Sequence, residues 1–323
     1  MKLVTIGTVK GGTPGALLAS GEVLHLARAA QAGGVEHWLP DSLRGILQAG
    51  PEGLAVVRRI VDRVNGYNGE QLATLRHGGI LTGAETHLLA PLPAPRLIVA
   101  AGLAYRSHLA EMAGTPPPPH PTGFMKSPHS VTGPGQAVAL PPGADAHLDY
   151  EGELAVVFGR ACHGVSAEHA MAYVAGYCVA NDLSARDWVK EVWAAQTPWD
   201  ARRTWEVNIM GKQFSGFTPL GPALLTADEV PVPGDLRIVT RLNGQVLQDA
   251  PLSDLIFDLG ETIAWFSRWY RFEPGDVLLT GTPAGVGVGR KPPLFMAAGD
   301  VVEVEVEQIG VLRNYITRDG APC

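Results

Sequence analysis

Residues 147–160, HLDYEGELAVVFGR, join a short acidic segment to a continuous apolar run. Residues 154–158 have strand length and no polar side chain, so they predict a strand buried in a core. Glu151 and Glu153 flank Gly152 at the start of this strand, and alternate residues of a strand point to the same face. Two carboxylates at this spacing repel each other unless a cation lies between them. A solvated strand edge would also carry such a pair, but the buried strand that follows favours a cation site.

A third carboxylate stands in residues 175–188, AGYCVANDLSARDW, where another apolar strand ends abruptly in a polar turn. Asp182 lies at that strand end, a position where sheet proteins place ligands and metals. It could instead cap the turn or helix that follows. Three carboxylates without a cysteine or a close histidine pair suit a hard cation with oxygen ligands. The sequence therefore favours magnesium or manganese over zinc.

Four further polar residues are candidates for the chemistry of such a site. His108 and Glu111 lie three residues apart in YRSHLAEM, a spacing that places them on one side of a helix. A carboxylate that orients an imidazole makes it a competent general base, although a surface helix can carry the same pair. Lys126 and Lys212 each sit in an apolar context beside glycine or serine. Such a lysine can bind a carboxylate or stabilise an oxyanion.

The arrangement of apolar segments predicts a mostly β protein with some α-helix. The chain has 323 residues, and its 39 glycines and 26 prolines are spread between short apolar runs. Apolar side chains in residues 53–67 recur every three or four positions, which predicts an amphipathic helix. Residues 302–307 alternate valine with glutamate, as a half-buried strand does. The turn-rich stretch 88–97 separates a small α+β N-terminal domain, residues 1–92, from a β-rich domain, residues 93–323.

Composition excludes several classes of protein. The net charge of −7 and the absence of a basic run argue against nucleic acid as a partner. No apolar run reaches 18 residues, and the N-terminus lacks the apolar stretch of a secretory signal, so we expect a cytoplasmic protein. The three cysteines have no disulfide or zinc spacing. Residues 278–289, LLTGTPAGVGVG, lack the GKS or GKT ending of a phosphate-binding loop, so nucleotide binding is not predicted.

Taken in order, these segments resemble the fumarylacetoacetate hydrolase family. The resemblance covers residues 97–317, about two thirds of the chain. It rests on a series of motifs: YRSHLAEM, FMKSPHSVTGPG, DYEGELAVVFGR, NDLSARDW, GKQFSGFTPLGP, SDLIFDLGE, EPGDVLLTGTPAGVG and GDVVEVEVEQIGVLRN.

The resemblance implies a mixed β-sandwich roll of this family's C-terminal type, preceded by the small N-terminal domain and usually dimeric. It implies a divalent cation, Mg²⁺ or Mn²⁺ with Ca²⁺ as a further option, held by Glu151, Glu153 and Asp182. His108 and Glu111, on a mobile lid, would be catalytic together with Lys212. The residues that would bind substrate are Tyr105, Arg106, Lys126, Arg186 and Thr282.

The function that the resemblance implies is hydrolysis of a carbon–carbon bond in an acylpyruvate or a fumarylacetoacetate-like β-diketo acid, in aromatic or amino-acid catabolism. His108 would activate the water, and Lys212 would stabilise the developing negative charge. The alternatives on the same fold are a β-oxo acid decarboxylase and a hydroxymuconate-type isomerase. A non-catalytic small-molecule binder is an alternative from a different class. The expected partners are an oxo-acid substrate and a second copy of the chain.

Several positions depart from the family pattern. Many members carry glutamine seven residues after the metal-binding aspartate, where this chain has Val189. Many members have asparagine immediately before the lid tyrosine, where this chain has Ala104. Lys126 precedes Ser127, where the family has proline. Residues 190–210 are longer than in the simplest members and predict a loop that carries Trp193, Trp199 and Trp205. The His108–Glu111 pair favours hydrolysis, and Val189 argues against it.

Overall fold

The computed structural model describes residues 1–9, 11–32, 39–112, 115–143, 146–187 and 194–318, and it describes Thr204 and Trp205 by their backbone alone. Within these residues the chain is mostly β with some helices, as the sequence predicts. The strands, in chain order, are β1 (Lys2–Thr8), β2 (Gly11–Leu17), β3 (Val23–His25), β4 (Leu81–Thr82), β5 (Leu88–Leu89), β6 (Ile98–Gly102), β7 (Thr122–Lys126), β8 (Val131–Thr132), β9 (Ala137–Ala139), β10 (Leu148–Asp149), β11 (Gly152–Phe158), β12 (Val174–Asn181), β13 (Ser184–Ala185), β14 (Thr218–Thr226), β15 (Arg237–Leu242), β16 (Gln245–Pro251), β17 (Val277–Leu279), β18 (Val301–Val306) and β19 (Gly310–Thr317).

The strands form one large mixed sheet and two smaller sheets. The 12-stranded sheet follows the order β4-β3-β2-β1-β14-β12-β11-β17-β6-β7, with β5 paired to β1 and β8 paired to β14. Most of its neighbours are antiparallel, whereas β17 pairs with β6 in parallel. A five-stranded sheet follows the order β16-β15-β18-β19-β9, and β10 pairs with β13.

The helices lie outside these sheets. They are α1 (Leu26–Ala32), α2 (Leu43–Gln48), α3 (Gly50–Asn65), α4 (Gly69–His77), α5 (Arg106–Glu111), α6 (Ala167–Ala170), α7 (Pro198–Met210) and α8 (Leu259–Ser267). Asn68 and Asp258 begin α4 and α8 with capping boxes, in which side chain and backbone satisfy each other's hydrogen bonds. Among the described helices, none has both the length and the apolar character needed to cross a membrane.

The central strands of the large sheet are buried on both faces. In β11, Leu154, Val156 and Phe158 enter one hydrophobic core, and Ala155 and Val157 enter another on the opposite face. Because both faces are covered, the strand has no need of polar alternation. The buried strand that the sequence predicts here is confirmed.

Residues 1–92 cover one of these faces. The predicted amphipathic helix is confirmed as α3, which buries Val57, Ile60 and Val64 against the core that receives Ala155. The N-terminal strands also extend the large sheet, because β1 pairs with β14 through Lys2 and Leu225. Hydrogen bonding is therefore continuous across the predicted boundary at residue 92. The division into two domains stays a prediction.

The five-stranded sheet covers the other face of the large sheet. Its strand β18 confirms the predicted alternation, since Val302, Val304 and Val306 are buried while Glu303 and Glu305 are partly exposed. Val304 and Val306 pack in the same core as Leu154 of β11. The two sheets thus enclose the apolar end of the strand whose first residues carry the acidic pair.

One predicted loop is wrong. Residues 198–210 form the helix α7, so Trp199 and Trp205 lie on a helix. Thr197 begins it, because its side chain accepts a hydrogen bond from the Asp200 backbone N–H and proline follows at the first helical position. Trp199 is 67% exposed. Trp193 lies outside the described residues.

The packing between the sheets gives a test of stability. Phe158 is fully buried and stacks on Phe272 with 4.1 Å between the ring centroids. We expect Phe158→Ala to lower the free energy of unfolding by about 3–5 kcal/mol, because the removed ring leaves a cavity. Urea unfolding followed by circular dichroism measures this loss. Val246→Ala, at a side chain that is half exposed, is the control, and equal losses in the two variants would contradict the burial argument.

Candidate metal and acid–base site

Three buried carboxylates meet where two neighbouring strands of the large sheet end. Glu151 precedes β11, Glu153 lies in it, and Asp182 follows β12. The two strands are antiparallel and pair Gly152 with Asn181, so these carboxylates lie side by side. One carboxylate oxygen from each residue can be chosen so that all three lie within 4.8 Å of one another. The structure therefore brings together the three residues that the sequence predicts to hold a metal.

Gly152, between the two glutamates, fits a very close approach of the second sheet. A Cβ at this position would lie 2.1 Å from Thr240 Oγ1 and 3.0 Å from Val304 Cγ1. A side chain here would push the five-stranded sheet away from β11. The Glu-Gly-Glu spacing thus serves packing on one face and the acidic site on the other, since residues 151 and 153 point away from residue 152.

Cationic side chains partner two of the three carboxylates. Lys212 Nζ donates to Glu151 Oε2 and to Asp182 Oδ2, each at 2.7 Å. Arg186 donates to the other oxygen of Glu151, and Lys126 donates to the other oxygen of Asp182. Burial alone would raise the pKa of Glu151, but Lys212 and Arg186 outweigh it and hold the pKa at about 2. Burial alone would lower the pKa of Lys212, but Asp182 and Glu151 outweigh it and raise that pKa.

Glu153 is the carboxylate that lacks such a partner. Its Oε2 accepts a hydrogen bond from the Gly281 backbone N–H at 2.7 Å, and among the described residues no cation lies within ion-pair distance of it. Burial, followed by the charges of Asp182 and Glu151, raises its pKa well above the ordinary value. A divalent cation would supply the missing countercharge. The oxygen-only donor set fits a hard ion such as Mg²⁺, Mn²⁺ or Ca²⁺.

His108 and Glu111 form an imidazole–carboxylate pair beside these carboxylates. Both lie on the short helix α5, and His108 Nδ1 is 3.1 Å from Glu111 Oε2. Because a carboxylate accepts hydrogen bonds, this contact assigns the ring hydrogen to Nδ1 and leaves Nε2 free to accept a proton. Glu111 is held in turn, since its Oε1 accepts from the Gly285 backbone N–H at 3.0 Å.

A cavity of about 530 Å³ joins the carboxylates to the histidine. Its polar side is lined by His108, Glu151, Glu153, Asp182, Arg186, Asn208, Lys212 and Thr282. Its apolar side is lined by Ala101, Leu103, Met112, Phe124, Ile209 and Val288. The site therefore combines acid–base groups, a candidate metal centre and room for an apolar substituent.

The glycine-rich segment 281–289 organises this cavity through its backbone. Its N–H groups bind three carboxylate side chains from two separate parts of the chain. The contacts are Gly281 N to Glu153 at 2.7 Å, Gly285 N to Glu111 at 3.0 Å, Gly287 N to Asp149 at 2.6 Å and Val288 N to Asp149 at 3.2 Å. These amides are already committed to the protein's own carboxylates.

Three residues predicted to bind substrate do not line the cavity. Tyr105 is fully buried in the core between the sheets. Arg106 donates to the backbone carbonyls of Ser253, Leu255 and Ile256. Lys126 uses its ammonium on Asp182 and on the carbonyls of Lys212 and Phe217. These positions do not support substrate binding by Tyr105, Arg106 or Lys126, and their assignment stays a prediction.

Sequence reasoning missed two residues that hold this wall. Asp149 accepts from the Arg186 side chain at 3.0 Å as well as from the glycine-rich segment. It lies two and four residues before Glu151 and Glu153, so the period-2 spacing could have identified it. Gln248 of β16 contacts both Gly152 and Thr282. Its sequence context gives no comparable signal. Val189, where the family often has glutamine, lies outside the described residues.

Comparisons with known proteins agree with this geometry. Residues 97–317 match the family described as fumarylacetoacetate (FAA) hydrolase C-terminal. The chain is 40% identical over 278 residues, 86% of its length, to human oxaloacetate tautomerase FAHD2B, mitochondrial, of which 80% is covered. It is 34% identical over 280 residues to oxaloacetate tautomerase YisK of Bacillus subtilis, covering 86% and 87% of the two chains. The structure of a fumarylacetoacetate hydrolase from Exiguobacterium antarcticum superposes with a TM-score of 0.76 at 31% identity, covering 98% and 99%.

Proposed function

Because the chain belongs to the fumarylacetoacetate hydrolase family, we propose that it is an enzyme that interconverts the enol and keto forms of a 2-oxo acid such as oxaloacetate. The observation that carries the proposal is that His108, paired with Glu111, lines the same cavity as the three carboxylates. Relatives named as oxaloacetate tautomerases support the choice of substrate.

Glu151, Glu153 and Asp182 would hold the divalent cation. When bound, such a cation acts as a Lewis acid that lowers the energy of an enolate of a 2-oxo acid. Lys212 uses two of its three ammonium hydrogens on Glu151 and Asp182. The third hydrogen remains to stabilise negative charge on the substrate oxygen.

The proton transfer is assigned to His108. In the direction from keto to enol, Nε2 takes a proton from the carbon next to the oxo carbon, Lys212 stabilises the negative charge that develops on the oxo oxygen, and a proton from solvent completes the enol hydroxyl. In the reverse direction, the hydroxyl proton leaves to solvent and the imidazolium returns its proton to that carbon. Glu111 keeps the ring oriented and stabilises the imidazolium, and its own position is fixed by the Gly285 N–H.

The apolar side of the cavity favours a second candidate, hydrolysis of the carbon–carbon bond of an acylpyruvate. Leu103, Phe124 and Ile209 could receive an apolar acyl group, which oxaloacetate does not have. In this reaction His108 would take the proton of a water molecule as its oxygen attacks the acyl carbonyl. The bond to the pyruvyl carbon would then break, and that carbon would be protonated to give pyruvate.

One set of assays separates the candidates. Enol absorbance in the ultraviolet is followed for oxaloacetate and for acetylpyruvate in weak buffer with Mn²⁺ or Mg²⁺, and then with EDTA, while pyruvate is measured in parallel. Metal-dependent acceleration of enol loss from oxaloacetate, without pyruvate, is expected. Pyruvate from acetylpyruvate would favour the hydrolase, and pyruvate from oxaloacetate would favour the β-oxo acid decarboxylase. Rates equal to the protein-free reaction with both substrates would reject both candidates.

The acid–base role predicts a large effect at His108. We expect His108→Ala to lower the rate of the active reaction by about 10²- to 10⁴-fold, the usual contribution of a general base. Stopped-flow ultraviolet measurements test this. His169→Ala is the matched control, because His169 is exposed on helix α6, away from the cavity, and its ring contacts the Ser166 side chain. A wild-type rate for His108→Ala would remove His108 from the mechanism.

A further inference from the structure

Gln248 connects the metal carboxylates to the cavity wall. It lies on β16 of the five-stranded sheet and is 1% exposed. Its Oε1 accepts from the Gly152 backbone N–H at 3.0 Å. Its Nε2 donates to Thr282 Oγ1 at 2.7 Å and to the Pro283 carbonyl at 2.8 Å. One side chain thus touches the residue between Glu151 and Glu153 and a hydroxyl that lines the cavity.

The orientation of this amide follows from its backbone partners. The N–H of Gly152 can only donate, so it must face the amide oxygen of Gln248. The carbonyl of Pro283 can only accept, so it must face the amide nitrogen. The second hydrogen of that nitrogen is therefore the one directed at Thr282 Oγ1, and Thr282 accepts in this contact.

The consequence concerns the hydroxyl hydrogen of Thr282. Since Thr282 Oγ1 accepts from Gln248, its own hydrogen is left to be donated elsewhere, and within the described part of the chain no acceptor takes it. Thr282 is 4% exposed and lines the cavity with the carboxylate triad. A donor held in this way suits an anionic oxygen of a bound oxo acid.

We propose that Gln248 is a positioning residue that makes Thr282 a hydrogen-bond donor to the substrate carboxylate and at the same time fixes the backbone between the two metal-binding glutamates. The substrate part rests on the proposed function, because it presumes an oxo acid in this cavity. The backbone part depends only on the contact between Gln248 and Gly152.

Two ligands test the two parts separately. Mn²⁺ affinity is measured by calorimetry on the metal-free protein, and oxalate affinity on the Mn²⁺-loaded protein, oxalate being an unreactive mimic of a 2-oxo acid. Thr282→Val removes the donor, so oxalate should bind about 10- to 100-fold more weakly while Mn²⁺ binds as before. Gln248→Met removes all three contacts and should weaken Mn²⁺ by about 10- to 100-fold, as loss of an outer-shell partner does.

Gln248→Glu reverses the link to Thr282, because a carboxylate cannot donate to Thr282 or to the Pro283 carbonyl. Its carboxylate still accepts from Gly152, so Mn²⁺ binding should not weaken. It takes the hydroxyl hydrogen of Thr282, so oxalate binding should weaken as in Thr282→Val. The double variant Gln248→Glu/Thr282→Val should then bind oxalate no more weakly than either single variant, because both remove the same donor. Thr282→Ser keeps the hydroxyl donor, so it should bind oxalate with about the wild-type affinity.

Gln245→Met, at an exposed position on the same strand, is the control for substitution in β16. Unchanged oxalate affinity in Thr282→Val would overturn the substrate part. Wild-type affinities for Mn²⁺ and oxalate in folded Gln248→Met, with only a lower melting temperature, would reduce Gln248 to a structural residue. If the Gln248 variants do not fold, the Thr282 variants decide the substrate part. Because oxalate binding requires no turnover, these binding results can support the role of Gln248 even if the protein is inactive on oxaloacetate.

Discussion

Glu153→Gln is expected to remove divalent cation binding at micromolar concentrations and to lower turnover by about 10³-fold or more. Glu153 is the triad carboxylate without a cationic side chain at ion-pair distance among the described residues. Its negative charge is therefore the one that a bound cation would compensate. Glutamine keeps the shape and the hydrogen bond from Gly281 but lacks the charge. Turnover should fall because the site loses its Lewis acid.

The same variant has a second expected effect, on stability. Burial and the neighbouring carboxylates raise the pKa of Glu153 above its unfolded value, so the metal-free fold loses stability as the pH rises and Glu153 ionises. Replacing it with neutral glutamine should leave the melting temperature of the metal-free protein unchanged or higher. Mn²⁺ calorimetry and thermal unfolding measure both effects. Glu305→Gln, at a partly exposed ion pair with Arg241, is the control, and Mn²⁺ binding by Glu153→Gln at wild-type affinity would exclude Glu153 as a ligand.

Removing residues 1–95 is expected to abolish the soluble fold. These residues supply Leu24, Ile46 and Val57 to the core that covers Ala155 and Leu279 of the large sheet. Without them a wide apolar face meets water, and β14 loses its partner β1 and becomes an open edge. We expect residues 96–323 expressed alone to aggregate.

Co-expression supplies the matched control. Residues 1–95 produced as a separate chain should restore solubility to residues 96–323, because the two parts are joined by burial and strand pairing as well as by the peptide bond. Size-exclusion chromatography with light scattering measures the outcome and also reports the homodimer, which stays a prediction. A soluble 96–323 chain that binds Mn²⁺ on its own would show that the predicted boundary at residue 92 delimits an independent domain.

The sequence predicts the acidic site better than the residues around it. Period-2 spacing places Glu151 and Glu153 on one face whatever surrounds the strand, and the strand end places Asp182. By contrast, spacing does not reveal where a long side chain ends. Arg106 and Lys126 could have reached a substrate, yet their donors meet backbone carbonyls and Asp182. Such contacts depend on segments that are distant in sequence.

Burial on two faces explains which parts of the fold are predictable. The unbroken apolar run of β11 indicates a covered strand, but it does not say what covers each face. One cover, the five-stranded sheet, belongs to the predicted β-rich domain. The other comes from residues before position 92, including Ile46 and Val57, and no local pattern links these to Ala155. A loop is predicted over residues 190–210 because this stretch is longer than in the simplest family members, and extra length does not reveal the helix that Thr197 begins as an N-cap.

The glycine-rich segment 281–289 also bears on the order in which the chain assembles. Its contacts with Glu153, Asp149 and Glu111 join residues 128, 138 and 174 positions apart. Each contact closes a loop of more than a hundred residues, and the entropy of closure is recovered only when the intervening strands are already in place. Hairpins and helices can form early from neighbouring residues. The candidate site has no such local precursor, so we expect it to form together with the long-range pairings of the chain.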